Sequence, residues 1–136
     1  MATVLKHETF EARSSEDIIR VRQAARALAL QQSFGLVDQT KLVTAVSELT
    51  RNTVDFGGGG TVRVDVLNEQ DRQGLRLTFV DQGPGIADVA LAMKDGYSTG
   101  GGFGLGLSGS KRLVDEFEIN SHPGKGTRVT ITMWKR

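Results

Sequence analysis

Two glycine-rich stretches constrain this chain more than any other feature of its sequence. They are Asp81-Gln-Gly-Pro-Gly-Ile86 and Gly100-Gly-Gly-Phe-Gly-Leu-Gly-Leu107. Glycine costs about 0.5 to 1 kcal/mol inside a helix or strand, and it is used where the backbone adopts a positive φ or lies directly against a ligand. Because each stretch adjoins an apolar segment, the pattern predicts a nucleotide that is held largely by main-chain groups.

The first stretch follows a predicted strand, in which apolar residues occupy alternate positions: Leu75, Leu77 and Phe79. Asp81 then lies at a strand end, where its carboxylate can face a pocket. A carboxylate only accepts hydrogen bonds, so it can accept from the exocyclic amine of adenine and reject the carbonyl of guanine. Gly83 and Gly85 leave room for the base, and Pro84 stiffens the turn. Taken alone, the stretch is also an ordinary β-turn.

The second stretch leads into a helical pattern at about residues 105 to 117. Glycine amides before a helix N-terminus form an anion site, because free N–H groups and the positive end of the helix dipole point the same way. We therefore expect phosphate here, although a GxGxG pattern alone is common in loops. The irregular segment from Lys94 to Gly100 is long enough to close as a lid over bound nucleotide.

A predicted helix at residues 38 to 56, with Asp38 as its N-cap, carries an apolar stripe of Leu42, Ala45, Val46, Leu49, Thr53 and Phe56. Beside this stripe, Glu48 and Asn52 are four residues apart and share one helix face. The carboxylate can orient and deprotonate an attacking hydroxyl or water, and the amide oxygen can complete a Mg²⁺ shell. By spacing alone, the pair is equally an exposed contact that stabilises the helix. The glycine stretches favour the chemical interpretation.

The remaining pattern predicts further elements in order. They are a strand at 2 to 12, a helix at 15 to 33 followed by Gly35 as its C′ residue, a flexible turn at Gly57 to Gly60, a hairpin whose turn is Asn68 to Gly74, a short helix at 87 to 94, and two strands near 117 to 121 and 129 to 133. Thr127, at the start of the last strand, could offer a hydroxyl to the base pocket. Together these elements predict an α+β two-layer sandwich with a mixed, mostly antiparallel sheet.

Composition limits the classes of function that remain. The 136 residues fit a single domain, 1 to 136, and 38% hydrophobic and 24% charged residues are typical of a soluble globular protein. The chain has no cysteine and a net charge of +1, so we expect a reducing compartment and no steering toward nucleic acid or an anionic membrane. It shows no signal peptide and no long apolar run, and we therefore expect a cytoplasmic protein.

At this point the motifs resemble those of the GHKL nucleotide-binding superfamily, whose members have the Bergerat fold. Glu48 to Asn52 resembles the N box, Asp81 to Gly85 the G1 box, Gly102 to Gly106 the G2 box, and Gly124 to Thr127 the final glycine-threonine box. Five segments resemble more closely the RsbT-type switch serine/threonine kinases of the bacterial stressosome, which are related to the anti-sigma-factor kinases. They are Val37-Asp-Gln, Ser47 to Asn52, Asp81 to Ile86, Asp95 to Thr99 and Lys111 to Phe117.

The resemblance implies a protein-serine/threonine kinase that transfers the γ-phosphate of ATP to a STAS-domain partner. It then leaves that partner and activates a PP2C-type phosphatase. Glu48 would be the catalytic base and Asn52 the Mg²⁺ ligand, while Asp81 would bind the adenine amine. The other nucleotide-binding residues that we predict are Gly83, Gly85, Ile86, Ser98, Thr99, Gly101, Gly102, Phe103, Gly104, Leu105, Gly106 and Thr127.

Two departures from the superfamily pattern qualify this assignment. Many GHKL kinases have Lys or Arg three residues after the Asn, where it touches phosphate, whereas this chain has Asp55. The chain also lacks a dimerisation helix with a phosphoacceptor histidine and lacks a transducer domain, which disfavours an autophosphorylating histidine kinase and DNA-strand machinery. Three alternatives stay open: a nucleotide-gated interaction module without catalysis, an anti-sigma factor kinase that binds a sigma factor, and an isolated ATPase.

Overall fold

The computed structural model of this chain describes residues 2–94 and 106–136. In chain order, the elements are β1 (Thr3–Ala12), α1 (Ser15–Gln31), α2 (Leu36–Asp55), β2 (Gly60–Glu69), β3 (Arg72–Asp81), α3 (Val89–Ala92), α4 (Gly106–Leu113), β4 (Glu116–Ser121) and β5 (Thr127–Trp134). The five strands form one sheet in the order β1-β2-β3-β5-β4. All four pairings between these described strands are antiparallel. The predicted α+β two-layer fold is confirmed.

The core lies between one face of the sheet and the helices. Period-two alternation puts one set of strand residues on this face, and all of them are buried: Val62, Val64, Val66, Leu75, Leu77, Phe79, Val129, Ile131 and Met133. Residues of α1 and α2 at helical spacing pack against them, namely Val21, Ala25, Ala29, Leu42, Val46 and Leu49. This packing fixes α2 along the sheet, so that its C-terminal end lies near the ends of β3 and β5.

The junction of the first two helices differs from the prediction. Helix α1 ends at Gln31, and the left-handed residue after it is Ser33, with φ of 61°, rather than Gly35. Phe34 explains this, because it is buried and its N–H donates to the carbonyl of Ala29, which turns the chain before residue 35. Gly35 is instead the N-cap of α2, with φ of −65°. Gly35 was therefore wrongly predicted as a C′ residue.

Helix α2 begins at Leu36, two residues before the predicted start. Asp38 is consequently in its first turn and is not the N-cap. Its carboxylate lies 3.3 Å from Arg136 Nε, an ion pair that joins the start of α2 to the C-terminal residue. An acidic residue in the first turn is favourable beside the positive end of the helix dipole, which explains why the position is acidic without a capping role.

Two other boundaries were wrong. Helix α4 ends at Leu113, four residues before the predicted helix end, and Phe117 lies in β4 opposite Ile131 of β5, where a strand was also predicted. Helix α3 covers only Val89–Ala92 and is capped by Asp88, whose side chain accepts a hydrogen bond from the N–H of Leu91. None of the helices in the described ranges is both long enough and apolar enough to cross a lipid bilayer.

The hairpin between β2 and β3 is tighter than the predicted turn from Asn68 to Gly74. The two strands pair as far as Glu69 and Arg72, so only Gln70 and Asp71 form the turn. Their φ angles are 47° and 71°. Two consecutive positive φ values are those of a type I′ turn, which matches the twist of the flanking strands. Glycine adopts these φ values without steric cost, asparagine and aspartate adopt them occasionally, and other residues do so unfavourably.

Replacing Asp71 with glycine should therefore stabilise the fold. We expect Asp71→Gly to raise the free energy of unfolding by roughly 0.5 to 1 kcal/mol, because glycine adopts a positive φ without steric cost. The melting temperature should rise by about 2 to 4 °C in a thermal scan.

The matched control is Gln73→Gly, an exposed position two residues later in β3 where φ is not positive. The same substitution there should lower the melting temperature, since glycine weakens a regular strand. Destabilisation by both substitutions would contradict the assignment of the strain to Asp71.

Candidate functional site

A cavity of about 430 Å³ opens between the C-terminal end of α2, the loop after β3, and the first residues of α4 and β5. Its volume is within the range of small-molecule sites. The wall is mainly apolar, and six of the predicted site residues line it: Asn52, Asp81, Gly85, Ile86, Gly106 and Thr127. These residues come from four separate parts of the chain, so the fold brings the predicted motifs to one place.

Asp81 is the central polar group of this wall. It is the last residue of β3 and is paired with Gly60 on one side and Thr127 on the other. Only 9% of the residue is exposed, and one carboxylate oxygen accepts a hydrogen bond of 2.9 Å from the N–H of Gly83. A buried carboxylate needs hydrogen-bond donors. A ligand donor in the cavity would supply what a single backbone amide does not.

Gly57 is a residue of this site that the sequence analysis missed, since it interpreted Gly57 to Gly60 as a flexible turn. A Cβ atom at Gly57 would lie 2.3 Å from Cγ of Asp81, and a Cβ at Gly83 would lie 2.7 Å from Cα of Gly57. Real Cβ atoms do not approach so closely, so the carboxylate occupies the space that a side chain at residue 57 would fill. The signal in the sequence was the glycine that directly follows the helix bearing Asn52.

The turn between β4 and β5 closes the other side of the loop after β3. Gly85 has φ of 76°, and a Cβ there would lie 2.0 Å from the carbonyl oxygen of His122. The N–H of Gly124 donates to the carbonyl of Pro84 at 2.7 Å. Glycine at position 85 is therefore required by both conformation and space. The prediction that it clears room for a base stays a prediction.

Thr127 begins β5 beside Asp81, and its hydroxyl lies 2.8 Å from that of Ser121 at the end of β4. Ser121 also accepts a hydrogen bond from the N–H of Ile86, again at 2.8 Å. Ser121 is a second residue that the sequence analysis missed, because its partners are distant along the chain. Its hydroxyl therefore links Thr127 and Ile86, two residues of the described cavity wall.

Of the predicted pair on α2, only Asn52 is on the described cavity wall. Asn52 lines the cavity, whereas Glu48 lies one turn, about 6 Å, toward the N-terminus of α2 and outside the described wall. The Glu48 side chain is 16% exposed, and its carboxylate is 3.5 Å from the guanidinium of Arg51. Its carboxylate is thus mostly covered and lies one helical turn away from the described wall.

The structure describes only part of the predicted phosphate-binding end of the cavity. Gly106 and Leu107 place the N-terminus of α4 at the cavity, and the hydroxyl of Ser110 donates to the carbonyl of Gly106 at 3.1 Å. The other predicted phosphate residues and the lid segment lie outside the described residues: Ser98, Thr99, Gly101, Gly102, Phe103, Gly104 and Leu105. In the described part, the dipole of α4 gives the wall a positive end.

The oxygen ligands of the described site suit a magnesium ion that is bound together with phosphate. They suit less well a magnesium ion that the protein would hold by itself. Within residues 2–94 and 106–136, no group of three or more His, Cys, Asp or Glu side chains could hold a metal. Mg²⁺ at a nucleotide needs only one or two protein oxygens, since phosphates and waters complete its octahedron. Asn52 supplies one such oxygen at the cavity wall, and the site therefore fits. Asp55 is exposed and lies outside the described wall.

Comparison with known proteins agrees with this geometry. Residues 37–136 match the family described as "Histidine kinase-, DNA gyrase B-, and HSP90-like ATPase". The chain is 44% identical over 120 residues to the serine/threonine-protein kinase RsbT of Bacillus subtilis (strain 168), which covers 88% of this chain and 90% of that protein. It is 30% identical over 121 residues to an anti-sigma F factor of Caldanaerobacter subterraneus subsp. tengcongensis, covering 83% of this chain and 82% of that one.

Solved structures show the same fold. The crystal structure of the RsbU and RsbW domains of Rv1364c from Mycobacterium tuberculosis matches 96% of this chain with a TM-score of 0.64 and 23% identity. This chain spans about a third, 32%, of that protein. The mycobacterial sensor histidine kinase MprB matches 96% of this chain and 99% of its own, with a TM-score of 0.54 and 21% identity. At these identities the likeness concerns the fold alone.

These relationships test the predictions made from the sequence. The resemblance to the GHKL superfamily and to RsbT-type kinases is confirmed, and so is the assignment to protein-serine/threonine kinases. The roles of the individual site residues, the STAS-domain acceptor and the PP2C-type phosphatase stay predictions. The match of residues 37–136 covers most of the chain and includes every described motif of the cavity, so this protein belongs to the family of histidine kinase-, DNA gyrase B- and HSP90-like ATPases.

Proposed function

We propose that this protein transfers the γ-phosphate of ATP to a serine or threonine of a STAS-domain partner, in a cytoplasmic partner-switching pathway of the stressosome type. It then activates a PP2C-type phosphatase. The observation that carries the proposal is that Asp81, Asn52 and Thr127 line a single cavity with the N-terminus of α4. That arrangement offers acceptors for a base at one end and donors for phosphate at the other.

The adenine end is formed by Asp81 and Thr127. A buried carboxylate at the end of β3 accepts from the exocyclic amine, and the apolar wall around it covers the faces of the base. Gly57 leaves the space in which this carboxylate lies, and Gly83 lets the loop after β3 pack against Gly57. Adenine is thereby recognised by its pattern of hydrogen-bond donors.

The phosphate end combines α4 with α2. The first turn of α4 offers main-chain N–H groups and the positive end of its dipole to phosphate oxygens. Asn52 would hold Mg²⁺, which supplies neutralisation of phosphate charge during transfer. Glu48 accepts the proton of the serine or threonine hydroxyl on the partner, while the oxygen of that hydroxyl bonds to the γ-phosphorus. The bond between the γ-phosphorus and the β–γ bridging oxygen breaks, and ADP is released. Glu48, one helical turn away from the described wall, suits this role, because a protein substrate approaches from outside.

The partners in this proposal are supported by the kinds of protein that the chain resembles. Its 44% identical relative is named a serine/threonine-protein kinase, and those near 30% identity are named anti-sigma F factors. The second group favours one further candidate, an anti-sigma factor kinase that also binds a sigma factor. Binding of a sigma factor to the purified chain in the presence of ATP would distinguish this candidate from a kinase that acts only on a STAS-domain protein.

The decisive experiment incubates the purified chain with γ-labelled ATP, Mg²⁺ and a STAS-domain protein from the same genome. We expect label on a serine or threonine of that protein. Nucleotide binding without transfer would instead identify a non-catalytic module. Release of labelled phosphate in the absence of acceptor would identify an isolated ATPase. Either of these results would overturn the proposal.

Replacing Glu48 with glutamine tests the assigned base. Glu48→Gln should lower the phosphotransfer rate by about 10² to 10⁴-fold, because the amide cannot accept the hydroxyl proton. The affinity for ATP should not change, since Glu48 lies outside the cavity wall. The matched control is Glu118→Gln on the open face of β4, which should transfer phosphate at the rate of the unmodified chain. Equal rates for the two variants would show that Glu48 is not the base.

Replacing Gly57 with alanine tests the space around Asp81. The new methyl group would collide with the carboxylate, so the affinity for ATP should fall by at least about tenfold, the effect of displacing one charge-assisted hydrogen bond. Asp81→Asn should cause a similar loss, because the amide no longer presents two acceptors.

The control for this pair is Gly35→Ala, where a Cβ would meet nothing within 4 Å and φ is −65°. Titration calorimetry with Mg-ATP measures all three variants. If Gly57→Ala binds ATP as tightly as Gly35→Ala does, Asp81 is not the group that recognises the nucleotide.

A further inference from the structure

Ser121 lies behind the described cavity wall, where it contacts two residues that line the cavity, Ile86 and Thr127. It is the last residue of β4, is half-buried, and lies opposite Thr127 of β5. Its hydroxyl oxygen contacts three groups: the N–H of Ile86 at 2.8 Å, the carbonyl oxygen of Gly126 at 3.0 Å and the hydroxyl of Thr127 at 2.8 Å. One side chain therefore joins the loop after β3, the β4–β5 turn and the floor of the predicted base pocket.

The capacity of a hydroxyl group fixes the direction of these three hydrogen bonds. A hydroxyl has one proton to donate and two lone pairs that accept. The N–H of Ile86 uses one lone pair of Ser121, and the carbonyl of Gly126, which can only accept, takes the single proton. The remaining lone pair of Ser121 can then only accept the hydroxyl proton of Thr127.

Thr127 is consequently left without a proton for the cavity and presents lone pairs to it. Asp81, beside it in the sheet and on the same wall, also only accepts. The polar end of the cavity therefore offers two acceptors and no hydroxyl donor from this pair. A ligand group with N–H protons suits this end, whereas a carbonyl oxygen in direct contact would face lone pairs.

We propose that Ser121 is a positioning residue for base selection: it holds the Thr127 hydroxyl as an acceptor, so that a 6-amino purine is favoured over a 6-oxo purine. The inference rests on the proposed function, because it takes the cavity to hold the base of the nucleotide. Ser121 itself does not touch the base. It acts through Thr127, and removing its hydroxyl would free the Thr127 proton to turn toward a carbonyl oxygen.

The surrounding loops do not depend on Ser121 alone, which makes the inference testable. The N–H of Gly124 donates to the carbonyl of Pro84 at 2.7 Å, and a Cβ at Gly126 would lie 2.1 Å from the carbonyl oxygen of Asp81. The turn and the loop thus stay in contact through main-chain groups. A substitution at Ser121 should change the polarity of the pocket more than its shape.

The experiment compares the dissociation constants of Mg-ATP and Mg-inosine triphosphate, which carries a carbonyl oxygen where adenine carries its amine. In Ser121→Ala, the preference for ATP should fall by roughly five-fold, the order expected for one hydrogen bond. Ser121→Thr retains the hydroxyl and should restore the preference. Ser47→Ala removes a hydroxyl that is bonded inside α2, away from the cavity, and should leave it unchanged.

A second measurement keeps the test independent of the stability of one variant. Thr127→Val should lose the same preference, and adding Ser121→Ala to it should change the preference no further, because Ser121 acts only through Thr127. An equal loss of affinity for both nucleotides in Ser121→Ala, or an unchanged preference, would overturn the inference. If the unmodified chain bound neither nucleotide, the proposed function itself would fail, and that result is distinct from an unchanged ratio.

Discussion

The architecture of the site depends on how closely three main-chain segments approach Asp81 and one another. A Cβ at Gly57 would lie 2.3 Å from the side-chain Cγ of Asp81, and a Cβ at Gly126 would lie 2.1 Å from the backbone carbonyl oxygen of Asp81. The sheet alone would leave this strand end open to water. The convergence of the loop after α2, the loop after β3 and the β4–β5 turn buries the carboxylate, and burial strengthens every hydrogen bond that it makes. A carboxylate in this setting costs stability unless donors reach it, so the site is built to be completed by a ligand.

The sequence predicted the parts of the fold that depend on regular alternation. The strands around Val64, Leu77 and Ile131 were found because one face of each is buried, which imposes a period of two. The ends of the helices and strands were harder to predict from the sequence, because they depend on contacts between elements. Gln70 and Asp71 form a tight turn only because β2 and β3 pair up to it, and nothing in their composition is typical of that turn. Ser33 likewise adopts the left-handed conformation because Phe34 is buried.

The candidate site likewise contains residues that could be predicted from the sequence and residues that could not. Asp81, Gly85 and Thr127 were predicted because each belongs to a motif whose residue types follow from what a nucleotide requires. Gly57 and Ser121 were missed because their roles exist only after folding: Gly57 borders a carboxylate across a complete hairpin, and Ser121 bonds to an amide 35 residues away. Neither residue is unusual by itself. A single sequence contains no signal for a contact of this kind, whereas a glycine-dense motif carries its own backbone requirement.

The charges around the cavity bear on Asp55, which stands where many GHKL kinases have a Lys or Arg that touches phosphate. The charged side chains on the described cavity wall are Asp81 and Asp88, both acidic, so this part of the wall does not by itself attract a triphosphate. Asp55 adds a further negative charge nearby on α2, while Arg51 is engaged with Glu48. In the proposed complex with nucleotide, the N–H groups and dipole of α4 and a cation held through Asn52 would therefore compensate the phosphate charge in the described region. In that complex, the described wall would contact the base through side chains and the phosphates through main-chain groups and the cation. The orientation of the Thr127 hydroxyl would then contribute to the choice of base.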